Sequence, residues 1–366
     1  MDWTAWVERF GEPAVLAVCG ALVGAGFGFF GQRSKFCLRA AVIEFWHRKF
    51  GDKLAVWLLA FSTAVVGVQL MVLLGGLDLS SARQLAARGS LSGALIGGLL
   101  FGVGMVMTRG CASRLLVLSA NGNLRALLSG LVFAVTAQAA LGGILAPWRE
   151  ALSALWTVDG GDSRNLLALT GVGPWGGLAF GLLWLVAALF FAVRSGWGFW
   201  KWFGGLGTGL MVALAWAGTY QVMSHSFEVV QIQGLTFSGP SAEWLMRVLG
   251  EPNAPWTFGL GLMPGVFAGS LIGALVGREW KLEGFGGGYT MPRYIGGAML
   301  MGFGSMLAGG CAVGAGMTGG AIFAVTAWLA LLGMWVGGGL ADRLLDAPHH
   351  HATAATPANT TGATVP

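Results

Sequence analysis

Ile96–Ala112 reads IGGLLFGVGMVMTRGCA, and Gly296–Ala312 reads GGAMLMGFGSMLAGGCA. Laid over one another, Gly97, Leu100, Gly102, Gly104, Gly110, Cys111 and Ala112 match Gly297, Leu300, Gly302, Gly304, Gly310, Cys311 and Ala312. A chain with only 4 cysteines thus places two of them at the same point of one motif. Each follows an apolar run and lies between glycine-rich flanks. A weaker pair, FFGQRSKFCLR at Phe29–Arg39 and FSGPSAEWLMR at Phe237–Arg247, falls in the same order in each half. It matches Phe29, Gly31 and Arg39 to Phe237, Gly239 and Arg247, and sets Cys37 against Leu245. The chain is therefore expected to be two repeats.

The medium of those repeats follows from composition. Of 366 residues, 55% are hydrophobic and only 10% charged, and the mean hydropathy is +0.71. A soluble domain carries about a quarter charged residues, so this chain is read as an integral, polytopic, all-α membrane protein with the lipid bilayer as its solvent. The 63 glycines suit close helix packing in lipid, and the 17 Trp and 22 Phe suit its interfaces. Spans of about 20 apolar residues are expected at nine places: 14–31, 54–77, 91–107, 125–146, 175–193, 203–222, 257–277, 294–307 and 321–340. The net charge of +5 sits in short loops beside these spans, which argues orientation and no nucleic-acid partner. With the N-terminus outside, fifteen of the 21 Lys and Arg fall inside and six outside, so N-out, C-in is expected.

Four segments are too apolar for loops and too short for spans: 35–46, 111–122, 232–249, which reads as two short helices broken at Ser-Gly-Pro, and 311–320. Ten to 14 apolar residues fit re-entrant half-helices, tolerated at membrane depth only inside protein or against a watery cavity. The expected organisation is a first repeat at 1–146, an outer loop with a linking helix at 147–202, a second repeat at 203–345 and a disordered tail at 346–366. Four spans plus one unmatched span put the second half in from the opposite side, so the repeats are expected to be inverted, with half-helices meeting at the midplane. The acidic start MDWTAWVERFGEP argues against a cleaved leader. His349, His350 and His351 read as solvated tail rather than a metal site.

Helix N-termini offer free backbone N–H groups and a positive dipole end. Two of them facing each other form an anion site without fixed cations, which leaves release easy. Thiols there are weak donors, soft and polarizable, and suit an anion with a sulfur-bearing end. The candidate substrate-binding residues are Cys37, Cys111, Cys311, Gly110, Gly310, Arg109, Ser238 and Gly239. Cys19, in VLAVCGALV, reads as a packing residue. The cysteines lack CxxC spacing and a clustered His, so no metal or other cofactor is expected. No base is placed beside a thiol, so no catalytic residue is assigned. Arg39 and Glu44 are candidates for a mutual ion pair, and His225 with Glu228 for proton carriage, although a structural hydrogen bond accounts for these two as well.

GQRSKFCLRAAV, RGCAS and GFGSMLAGGCAVGAGMTG resemble the YeeE/YedE family of sulfur-transport membrane proteins. The resemblance covers nearly all of the chain before the tail. It implies an inverted-repeat bundle with re-entrant helices, thiosulfate uptake across a bacterial inner membrane, and contact between the anion and the cysteines matching Cys37, Cys111 and Cys311. Where the family often shows GGCTSGHG, this chain has RGCASRLL and GGCAVGAG, which leaves the exact anion open. Without a fused rhodanese-like or sulfur-carrier domain, a separate cytoplasmic sulfur carrier or sulfurtransferase is the partner to expect. Rival readings are a channel for another small anion or sulfur or selenium species, a membrane thiol redox protein, and a non-transporting subunit of a sulfur-oxidation complex.

Overall fold

The computed structural model describes residues 3–226, 231–285 and 291–346. Glu228 and the tail with its three histidines lie outside the described residues. In chain order the helices are α1 (Trp3–Phe10), α2 (Glu12–Ser34), α3 (Leu38–Trp46), α4 (Asp52–Leu73), α5 (Arg83–Ala86), α6 (Leu91–Met107), α7 (Ala112–Ala120), α8 (Leu124–Gly142), α9 (Ala146–Ala154), α10 (Leu166–Thr170), α11 (Gly173–Arg194), α12 (Phe199–Ser224), α13 (Ser238–Leu249), α14 (Phe258–Val276), α15 (Met291–Leu307) and α16 (Val325–Ala341). A π-helix, Ala312–Gly319, stands between α15 and α16. The protein is a polytopic all-α membrane protein: eight helical segments are long and apolar enough to cross a bilayer. Each of the nine expected spans coincides with a helix. The ninth, α12, has the length at 26 residues, but its Trp, Thr, Tyr and Gly content makes it less apolar than the eight.

Glycine spacing sets which helices touch. On α2, Gly20, Gly24 and Gly28 recur every fourth residue and form one stripe. On α14, Gly261, Gly265 and Gly269 do the same. A Cβ on Gly24 would lie 2.4 Å from the Leu262 carbonyl oxygen, and one on Gly265 2.2 Å from that of Ala21. The two backbones are in contact, as small residues permit in lipid. The α6–α15 crossing is built the same way from the aligned glycines. A Cβ on Gly97 would meet the Gly304 oxygen at 2.6 Å, and one on Gly304 the Gly97 oxygen at 2.7 Å. Gly104 and Gly297 exclude each other likewise, at 2.5 and 2.9 Å.

Exchanging each aligned residue for its partner therefore maps this crossing onto itself. Wider packing follows the exchange: α2 on α14 answers α4 on α12, α6 on α16 answers α8 on α15, and α3 on α4 answers α13 on α14. Helix α11 packs on α4 with no counterpart.

Of the four apolar segments expected to re-enter, three hold the short helices α3, α7 and the π-helix; 232–249, expected as two short helices broken at Ser-Gly-Pro, holds one, α13, which begins at Ser238 because proline is tolerated in a first helical turn. The expected loop at 147–174 is a folded segment. It holds α9, a two-residue strand Thr157–Val158 paired antiparallel with Gly89–Ser90, and α10. Arg164, buried, anchors it by donating from Nη1 to the Ala87 carbonyl and from Nη2 to Thr326 Oγ1 at 2.7 Å.

Candidate functional site

The two cysteine motifs adopt one backbone conformation. After α6, Arg109 is left-handed (φ 58°); after α15, Gly309 is left-handed (φ 76°). Gly110 N–H donates to Met105 O at 3.0 Å, and Gly310 N–H to Ser305 O at 2.9 Å. These are the long closing bonds of a helix C-terminus ended by a left-handed residue. The chain then reverses. Cys111 (φ −79°, ψ 171°) caps α7, and Cys311 (φ −82°, ψ −174°) caps the π-helix. Their carbonyls accept from Leu115 N–H at 2.9 Å and Ala315 N–H at 2.8 Å. Gly310 is needed for space, because a Cβ there would lie 2.8 Å from Ala315 N; at Gly110 the nearest atom is 3.5 Å away. A π-wound turn is rare and recurs at functional sites.

Both thiols are buried. Cys311 Sγ accepts from Gly314 N–H at 3.5 Å and so partners one of the unpaired donors of its helix start. Cys111 Sγ lies 3.4 Å from Ser113 Oγ. Helix α7 touches the π-helix, and Cys111 has both Cys37 and Cys311 as neighbours. Cys37 caps the third half-helix, α3, and is half-buried. Ser238 opens the fourth, α13; it is buried, and its Oγ lies 3.3 Å from Thr236 Oγ1. Thr236 in turn packs on Gly314, where a Cβ would meet Thr236 Oγ1 at 2.5 Å. Gly239, beside Ser238, has open space where its side chain would be. Thus Ser238 and Gly239 sit beside the Cys311 turn, and Cys37 beside Cys111. Between the two groups, Phe27 packs on Phe36 (6.2 Å between ring centres) and on Phe237 (5.4 Å), the residues preceding Cys37 and Ser238.

The pattern that defines a family described as "Sulphur transport" matches residues 33–340. The chain belongs to that family. Family membership makes it a membrane transporter of sulfur compounds and not an enzyme. The matched region contains Cys37, Cys111 and Cys311 and leaves Cys19 outside. Two relatives are both named thiosulfate transporter TsuA. One, from Escherichia coli (strain K12), is 26% identical over 350 residues, spanning 87% of this chain and 93% of the relative. The other, from Spirochaeta thermophila, is 28% identical over 333 residues, spanning 86% and 96%.

The candidate residues are not all brought together, and one expected register changes. Arg109 does not join the thiols: its left-handed turn leaves the side chain exposed. The register that set Cys37 against Leu245 is wrong. The first helical bonds run from Ala41 N–H to Cys37 O (3.2 Å) and from Ser241 N–H to Phe237 O (3.3 Å), so Cys37 corresponds to Phe237. A fixed cation also stands close by: Arg114, in the first turn of α7, has Cys37, Cys111 and Glu279 as charged-group or thiol neighbours. Its Nη1 donates to Gln32 Oε1 at 3.3 Å. Gln32 Nε2 donates to Glu279 Oε2 at 2.8 Å, and Glu279 Oε1 pairs with Lys35 at 2.9 Å. In the sequence, Arg114 is a charge beside Cys111 inside an apolar stretch and so a functional candidate, with interface snorkelling as the alternative, whereas Gln32 and Glu279 carry no such signal.

Other polar candidates are structural. Glu44 Oε2 accepts from the first N–H groups of α4, Lys53 and Leu54, both at 2.9 Å. His225 ends α12, with Nδ1 2.9 Å from Gln221 O. The four cysteines are free thiols. Among the described residues no group of three His, Cys, Asp or Glu could hold a metal.

Proposed function

We propose that this protein imports thiosulfate across the bacterial inner membrane, N-terminus outside and C-terminus in the cytoplasm. The two halves act as inverted repeats, with α11 as the odd helix that reverses the second. The anion enters beside Ser238, Gly239 and Cys311, passes Cys111 near the midplane, and leaves past Cys37. Half-helix N-termini supply backbone N–H donors and a positive dipole end. The thiols donate weak S–H hydrogen bonds, and their polarizable sulfur suits the terminal sulfur of thiosulfate. Weak, sequential sites let an anion both enter and leave. No bond to sulfur forms, and a cytoplasmic sulfur carrier or sulfurtransferase that consumes thiosulfate keeps the gradient inward.

The observation that carries this reading is that Cys37, Cys111 and Cys311 each stand at the N-cap of a short helix, with Cys37 and Cys311 both neighbours of Cys111. The names of the two relatives support thiosulfate as the anion. The test is uptake of radiolabelled thiosulfate into proteoliposomes by wild type and by Cys37→Ala, Cys111→Ala, Cys311→Ala and Cys19→Ala. Transport by wild type and Cys19→Ala, with loss in folded Cys111→Ala and Cys311→Ala protein, is expected. Normal transport by all four variants reduces the thiols to packing.

A further inference from the structure

Arg114 stands where helix physics disfavours it. It is the third residue of α7, and a cation in the first turn opposes the helix dipole. The side chain is half-buried, so solvent compensates it incompletely. What compensates it instead is graded. Gln32, itself buried, takes Nη1 on its amide oxygen and passes its own amide N–H to Glu279, which is held on its other oxygen by Lys35. The carboxylate thus reaches the guanidinium through a neutral amide and not by direct ion pairing. A guanidinium carries five N–H donors in a planar fork, more than one amide oxygen can use. A direct Arg–carboxylate pair would be bidentate and strong. This arrangement keeps the charge available.

From this geometry we infer that Arg114 is the charge filter of the path. It takes the oxyanion end of the substrate while the thiols of Cys37 and Cys111 face the sulfur end. Glu279, acting through Gln32, positions the guanidinium and weakens its hold so that the anion can leave. The inference rests on the proposed transport of a sulfur oxyanion. It adds a fixed cation with a tuned counter-charge, so the path selects dianions carrying both sulfur and oxygen ends over neutral thiols. Lys35, on the same carboxylate, belongs to the exit.

The test compares KM and maximal rate of thiosulfate uptake in proteoliposomes for wild type, Arg114→Gln, Arg114→Lys and Glu279→Gln, each first shown monodisperse. Hydrogen bonds to a charged group are worth enough that Arg114→Gln should raise KM roughly 10- to 100-fold. Arg114→Lys, which keeps the charge, should recover most of that loss. Glu279→Gln should move KM the other way, lowering it several-fold while slowing the maximal rate, because the substrate is held longer. A merely structural role for Arg114 or Glu279 would not lower KM. Equal KM in Arg114→Gln and wild type overturns the inference, as does a rise in KM for Glu279→Gln. If Arg114→Gln does not fold, the opposed shifts of Arg114→Lys and Glu279→Gln still decide it. A wild type that takes up no thiosulfate removes the proposed function and this inference together, whereas an active wild type with an unchanged Arg114→Gln removes the inference alone.

Discussion

Replacing Cys311 separates the two roles of a thiol at a helix start. Its Sγ is the acceptor for Gly314 N–H at 3.5 Å, in a turn whose residues are all buried. Cys311→Ala leaves that donor unpaired, at a cost of about 1–3 kcal/mol. Cys311→Ser puts a better acceptor in the same place and should keep wild-type stability, because Ser is a preferred cap. Transport divides the pair differently. If the thiol donates to the passing anion, Cys311→Ala loses a hydrogen bond to a charged acceptor, worth about 1.5–3 kcal/mol, or roughly 10- to 100-fold in affinity. Cys311→Ser offers a stronger donor, so KM should fall while the maximal rate falls with it. Thermal unfolding followed by size-exclusion chromatography reads the first effect, and initial rates of thiosulfate uptake over a concentration series read the second. The reasoning is refuted if Cys311→Ser matches wild type in both KM and rate, since Cys311 would then be a cap and nothing more.

Packing makes a prediction with a built-in control. Gly304→Val places a Cβ 2.7 Å from the Gly97 oxygen and should cost about 1–3 kcal/mol by overpacking; Gly130→Ala, with nothing within 4 Å, should be neutral or stabilising by up to about 1 kcal/mol, both read from thermal unfolding in detergent. Arg164→Gln removes charged donors to Ala87 and Thr326, should loosen the outer segment by about 1.5–3 kcal/mol, and should make 146–172 the first site of limited proteolysis. Glu283 is held below the ordinary glutamate range, chiefly by its hydrogen bonds to Lys281 and Asn123. A lowered pKa gives stability that is complete above the unfolded value and lost as pH falls through the folded one. The protection of Leu124 N–H, bonded to Glu283 O at 3.0 Å, against hydrogen exchange should therefore fall, relative to the intrinsic rate at each pH, on acidification through that range, and a protection factor flat with pH would count against the link.

What the sequence made legible follows from periodicity and from rare residues. Every expected span became a helix because 20-residue apolar runs have few alternatives in lipid, and Leu91–Met107 was bounded to the residue. The glycine alignment located the α6–α15 crossing because close approach admits only glycine there. The weaker alignment slipped by several residues, since Phe, Gly and Arg matches are common, and only the first backbone hydrogen bonds of α3 and α13 fix that register. The folded outer segment was hidden for another reason. Its elements are 2–9 residues long, too short for periodicity to speak, and its anchor is one arginine reaching two separate strands of chain. Gln32 and Glu279 were invisible because Gln32 lies 82 residues from Arg114 and Glu279 lies 247 residues from Gln32, separations that no local pattern records.

The scaffold and its chemistry obey different symmetries. The two turns share their left-handed residue and their closing backbone bonds, although only the Cys311 thiol accepts from a helix-start N–H. The side chains around them do not agree. Beside Cys311 stand the hydroxyls of Thr236 and Ser238. Beside Cys111 stand a third thiol, Cys37, and the Arg114–Gln32–Glu279–Lys35 chain. Neutral hydroxyls bind an oxyanion loosely, as suits capture and passage; a buffered guanidinium binds it more firmly, as suits selection. If the difference in affinity between the two faces came from the scaffold, grafting hydroxyls onto the Cys37 side would change little. If it comes from these side chains, Cys37→Ser combined with Arg114→Gln should bring the KM values measured from the two faces together, in right-side-out and inside-out vesicles compared at equal protein. Convergence of the two values would place that asymmetry in the side chains, and an undiminished difference would return it to the helices.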